Sequence, residues 1–124
     1  MELTQEQIEI KRKEIQKGND YLRGTFFGLV TFTRGLRAHP MRDEVLTMVR
    51  EFADFSPEND PHQEHDFGMV ELESEQGSLC EKRQIRYEKF FWKIDYYDEN
   101  LSFGADPYTE PFRRVLTIMT ASEY

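Results

Sequence analysis

The sequence predicts an α+β domain, a small antiparallel sheet of about three to four strands with two to three helices packed on one face. Three observations carry that prediction. The run Phe90-Phe91-Trp92-Lys93-Ile94-Asp95-Tyr96-Tyr97 alternates with the period of two that a strand imposes, placing Phe90, Trp92, Ile94 and Tyr96 on one face and Phe91, Lys93, Asp95 and Tyr97 on the other. Thr4 followed by Gln7 makes a capping-box start for a helix whose apolar residues Ile8, Ile15 and Leu22 recur every seven positions. Leu29-Val30-Thr31-Phe32-Thr33 is rich in the β-branched and aromatic residues that fit a pleated surface.

In chain order, the first helix is expected from Thr4 to Leu22. Its apolar stripe is narrow because Lys11 and Gly18 interrupt a second row, so loose packing on the domain is expected. Residues 1–24 then form an amino-terminal helical extension and residues 25–124 a single α+β domain. A strand follows from Gly28 to Thr33. Pro40, with Asp43 and Glu44 in the first turn, predicts a second helix to about Phe55, ended by Ser56-Pro57-Glu58-Asn59-Asp60-Pro61. Val70 and Leu72 alternate with Met69, Glu71 and Glu73 in a half-buried strand expected to pair antiparallel with the Phe90 strand. The stretch from Ser74 to Arg86, which contains Cys80, is expected to be a mobile connector. Thr109-Glu110-Pro111 resembles a cap and first turn ahead of Phe112, Val115, Leu116 and Met119, which predicts a last helix over 110–121. A strand through Val115-Leu116-Thr117-Ile118-Met119 is the competing expectation.

Length and charge bound the function classes. A chain of 124 residues with 38% hydrophobic and 14% aromatic residues can bury a single core. The single Cys80 excludes an internal disulfide, and no apolar run reaches the length of a signal peptide or membrane span, so a cytoplasmic protein is expected. The net charge of -8 is concentrated between Glu51 and Glu75, where nine carboxylates occur without a Lys or Arg. Such a segment repels a phosphate backbone and attracts a basic protein surface. Direct nucleic-acid or membrane binding is therefore not expected. A partner-facing acidic surface of Glu58, Asp60, Glu64, Glu71, Glu73 and Glu75, imitating the spacing of phosphates, is the leading expectation.

The chemistry-bearing cluster lies in Asp60-Pro61-His62-Gln63-Glu64-His65-Asp66, with three carboxylates and two imidazoles. A divalent metal needs convergent O and N donors, and His62, His65 and Asp66 with Asp95 from the paired strand are the candidate set. Glu64, His65 and Asp66 are the candidate acid/base residues of a small metal-assisted hydrolase that would use His62, Glu64, His65 and Asp66. Neither the HExxH spacing nor a Cys/His zinc pattern is present, and no phosphate-binding glycine loop or GxSxG elbow occurs. The only Glu-x-Lys, Glu9-Ile10-Lys11, precedes every candidate Asp, which excludes the usual nuclease arrangement. No cofactor is implied.

From about Asn19 to Tyr124 the chain resembles domain of unknown function family 3768, small bacterial proteins also met on plasmids and other mobile elements. The resemblance rests on Thr31-Phe32-Thr33-Arg34-Gly35, Asn59-Asp60-Pro61, Glu64-His65-Asp66-Phe67-Gly68, Phe91-Trp92-Lys93-Ile94-Asp95-Tyr96-Tyr97-Asp98 and Val115-Leu116-Thr117-Ile118-Met119 with the closing Glu123-Tyr124. It implies a mobile-element setting and supplies no activity and no catalytic residue. Together with the acidic segment, the expectation is a non-enzymatic accessory protein that binds a host protein, such as a nucleic-acid mimic that inhibits a defence or nucleic-acid-binding protein.

Overall fold

The structure, a computed structural model, describes residues 2–76 and 84–124, apart from the side chains of residues 75, 76 and 84. Its elements in chain order are α1 (Gln5–Thr25), β1 (Leu29–Phe32), α2 (Arg34–Arg37), α3 (Arg42–Arg50), β2 (Phe67–Gln76), β3 (Gln84–Tyr97) and β4 (Arg113–Thr120), closed by a 3-10 turn at Ala121–Glu123. The strands form a mixed sheet in the order β1-β4-β3-β2. β2 and β3, and β3 and β4, are antiparallel, whereas β1 runs parallel to β4. The architecture is α+β as expected, with that one parallel pair added.

The capping box at Thr4 and Gln7 forms, and α1 runs three residues past Leu22 before Phe26 ends it at a positive φ of 57°. Contrary to loose packing, Ile15, Asn19, Leu22 and Arg23 of α1 are buried. Gly18, which interrupts the stripe, is where the Arg114 guanidinium crosses the helix; a Cβ there would stand 2.3 Å from Arg114 Nη2. The gap in the apolar row is a polar crossing point, so the helix joins the fold by hydrogen bonds as well as by Leu22.

α3 is shorter than expected because it stops at Arg50 and frees Phe52 and Phe55 to turn inward. Both rings meet Trp92 edge-on, at centroid distances of 5.4 Å and 6.2 Å, an arrangement the aromatic quadrupoles favour. Leu36, Val45 and Val49 from the helices join Phe90, Trp92, Ile94, Leu116 and Ile118 from the sheet in one core. The helices therefore share one face of the sheet.

The segment expected as a last helix is instead β4, the strand inserted between β1 and β3. Phe112, Val115, Leu116 and Met119 satisfy a helical spacing, yet Leu116 and Ile118 alternate into the core while Met119 is buried on the opposite face. A strand buried on both faces reads as a continuous apolar run, which periodicity alone does not distinguish from a helix. The length and the β-branching of Val115, Thr117, Ile118 and Thr120 mark it as a strand. Both ends of the Ser74–Arg86 connector are strand, since β2 reaches Gln76 and β3 begins at Gln84; the expectation of a mobile segment around Cys80 falls on residues 77–83, which lie outside the described residues.

Candidate functional site

The cluster expected at the entry to β2 forms a bridge between α1 and the sheet. Asp60 is buried and its Oδ1 accepts hydrogen bonds from the backbone N–H groups of Glu64 and His65 at 3.1 Å and 3.2 Å. That closure holds the loop through two left-handed residues, Gln63 with φ 56° and His65 with φ 57°, a region costly to side chains bearing a Cβ.

Glu64 turns inward and is only 9% exposed. Its two carboxylate oxygens accept from two phenols, Tyr96 Oη at 2.9 Å and Tyr108 Oη at 3.0 Å. Tyr96 Oη in turn accepts from Asn19 Nδ2 at 2.9 Å, the same amide donates to the Glu64 carbonyl at 2.9 Å, and Asn19 Oδ1 accepts from Arg114 Nε at 2.7 Å. Five side chains from α1, β3, β4 and two loops thus form one chain of donors and acceptors ending on a carboxylate. Burial, with Glu64 beside it, raises the Tyr96 phenol far above its usual range, and the Tyr108 phenol moves the same way for the same reasons. Burial lowers the Arg114 guanidinium. Both phenols therefore stay protonated and donate at any physiological pH.

His65 is held on three sides. Its ring stacks on Phe55 with centroids 3.9 Å apart and planes 5° from parallel. Nδ1 lies 3.0 Å from Asp20 Oδ1, so this nitrogen carries the proton; Nε2 is 3.7 Å from Asp60 Oδ2. Asp20 also takes a hydrogen bond from Arg23 Nη1 at 3.0 Å, and the Arg23 guanidinium sits 5.1 Å from the ring centroids of both Phe55 and Trp92. A hollow of about 250 Å3 opens beside His65, lined by Gln16, Phe55, Asp60 and Gln63 among others.

Burial, with the Glu64 carboxylate close by, raises the Asp66 acid group to about 6.

The expected metal set does not converge. His62 is exposed, His65 is held between Asp20 and Asp60, and Asp95 lies on the opposite face of the sheet, 3.0 Å from Lys93 Nζ. Among the described residues no group of three or more His, Cys, Asp or Glu side chains is placed to hold a metal ion.

The six carboxylates of the expected acidic surface also separate. Asp60 and Glu64 are interior and bonded to the protein itself, which corrects their assignment to a partner-facing surface. Glu58, Glu71 and Glu73 are exposed, and the Glu75 side chain lies outside the described atoms. On β2, Glu71 and Glu73 alternate with buried Val70 and Leu72 and share the helix-free face with Met69. Across the ladder they stand opposite Lys89 and Tyr87 of β3. The same face carries exposed Ile85 and Tyr87, and a cluster in which Phe91 stacks on Phe67 and on Tyr124 while Phe67 and Tyr124 meet at a tilt, with centroid separations of 4.9–5.7 Å.

Asn19, Asp20, Tyr108 and Arg114 were not legible as site residues. Asn19 carried a usable signal, because it falls four residues after Ile15 and three before Leu22, a lone amide on the apolar stripe of α1. The other three have no local pattern.

A family model described as "Protein of unknown function (DUF3768)" matches residues 32–123. No curated protein and no solved structure matches the chain.

Proposed function

We propose, on the premise that the chain belongs to the DUF3768 family, that it is a non-enzymatic accessory protein that binds a basic host protein through the helix-free face of its sheet. The observation that carries this reading is the sorting of its side chains: Glu71 and Glu73 stand exposed beside Met69, Ile85 and Tyr87, whereas Glu64 is buried against two phenols and His65 is held between Asp20 and Asp60. An exposed apolar patch flanked by carboxylates suits a partner with an apolar centre and a Lys/Arg rim. With a net charge of -8, the encounter is steered electrostatically and weakens as salt rises. The mobile-element setting that the resemblance implies makes a host defence or nucleic-acid-binding protein the natural target class, with phosphate mimicry on this face resting on Glu71 and Glu73 rather than on all six carboxylates.

The test is affinity capture from the native host at low and raised salt, with parent protein and the double reversal Glu71→Lys/Glu73→Lys side by side. A basic protein retained by the parent at low salt, and lost by the reversal, is the expected result. Equal capture by both proteins, or retention of duplex DNA by the parent at moderate salt, overturns the reading. The hydrolase alternative predicts a rise in melting temperature on adding zinc, manganese or magnesium, because a ligand bound only to the folded state stabilises it; the accessory-protein reading predicts unchanged melts.

A further inference from the structure

β4 flanks β3 only along Phe90–Tyr97. The preceding part of β3, Gln84–Lys89, pairs with β2 alone among the described residues. One of its edges is therefore open, and the direction of its backbone groups can be read from the ladder. The Ile94 N–H donates to the Asp66 carbonyl at 2.7 Å, so even-numbered residues of β3 aim their polar backbone atoms at β2. Odd-numbered residues aim theirs away. Ile85, Tyr87 and Lys89 thus present N–H and C=O groups to the open edge, and the Ile85 and Tyr87 side chains are 52% and 63% exposed.

Such an edge is a template for another strand. The outer edge of β2 is guarded, since pairing two copies about Glu71 or Glu73 sets carboxylate against carboxylate. The β3 edge is different because its charges are self-complementary. In a two-fold antiparallel pairing centred on Tyr87, each Arg86 stands opposite the second copy's Glu88, Tyr87 opposite Tyr87, and Ile85 opposite Lys89. Centring the pair on Arg86 or on Glu88 would oppose like charges, which is destabilising. The Tyr87 register uses five residues, Ile85–Lys89, and stops where Thr120 of β4 occupies the edge opposite Phe90.

We propose that a second copy of this chain pairs along Ile85–Lys89 in that register, forming a two-fold dimer. Residues directly opposite in a sheet share a face, so the helix-free faces of the two copies come to lie on the same side. Five residue pairs make a small interface, and the dimer is concentration-dependent.

Sedimentation of the full chain over a concentration series tests this. The parent should pass from 14.9 kDa to twice that mass as concentration rises. Arg86→Glu places two carboxylates opposite each other at both symmetric contacts and should weaken dimerisation by about tenfold or more. It leaves the bond between His39 Nε2 and Glu88 Oε2, at 2.5 Å, in place. The double reversal Arg86→Glu/Glu88→Arg restores complementarity and should recover association. A parent that stays monomeric to its solubility limit, a single reversal that dimerises as tightly as the parent, or a double reversal as weak as the single one each overturns the proposal. If Arg86→Glu does not fold, oxidation of Tyr87→Cys on a Cys80→Ser background decides. Opposed residues of a hydrogen-bonded pair stand about 5.5 Å apart between Cα atoms, within disulfide reach, so a covalent dimer supports the pairing and its absence refutes it.

Discussion

Glu64 shows how a single buried carboxylate sets the character of its surroundings. Its two oxygens each accept from a phenol, Tyr96 and Tyr108, and its carbonyl accepts from Asn19, so it ties α1, β3 and the 106–110 turn together. Tyr96→Phe removes one donor and leaves both the carboxylate and the Asn19 amide short of a partner. Denaturant unfolding should show a loss of about 1–3 kcal/mol, and Tyr108→Phe, at a more exposed phenol, should lose less. Asp66 gives a pH-dependent counterpart. Its acid group is raised from 3.8 to about 6, so folding favours the protonated form, and the stability this contributes is present below about pH 4 and lost as pH rises through about 6. Asp66→Asn should accordingly melt above the parent at pH 8, with the difference fading by pH 4. Gly68 is constrained by contact instead. A Cβ there would lie 2.4 Å from Trp92 Nε1 and 2.8 Å from Phe52 Cζ, both in the packed core, so Gly68→Ala should cost about 1–3 kcal/mol by overpacking.

At the scale of elements, the chain's closing turn is a clasp. Glu123 accepts from Thr33 Oγ1 at 2.5 Å, the Gly35 N–H at 2.8 Å and Thr120 Oγ1 at 2.7 Å, joining the end of β4 to the start of α2. These donors hold its carboxyl down at about 2 against an ordinary 4.5. The sign is opposite to that of Asp66: the contribution is present above about pH 4.5 and lost as pH falls toward 2. Glu123→Gln should lower the melting temperature at pH 7 and converge on the parent in acid, by a modest amount because the group is exposed and solvent screens it. Helix α1 and strand β4 show why elements differ in legibility. The capping box and heptad of α1 are local signals, present in consecutive residues and realised as such. The identity of β4 depended on neighbours distant in sequence, β1 on one side and β3 on the other, which turn an apolar run of ambiguous period into an interior strand.

For the whole molecule, composition and alternation were enough to fix the class: one α+β fold, a central aromatic strand with Phe90, Trp92 and Ile94 inward, a β2–β3 antiparallel pair and an acidic second half. These follow from local steric periods and from which side chains water excludes, and both are written in short stretches of sequence. Which carboxylates reach solvent was a different matter. Asp60 and Glu64 carry the same charge as Glu71 and Glu73 and sit in the same acidic run, yet two are interior and two are exposed. Burial of a carboxylate depends on whether donors converge on it, and those for Glu64 come from Tyr96 and Tyr108, 32 and 44 residues away. The parallel placing of β1, the inward turn of Phe52 and Phe55, and the open edge at Ile85–Lys89 are likewise products of long-range packing. Strand periodicity says that a residue faces one side or the other, but only the assembled layers decide which side is covered.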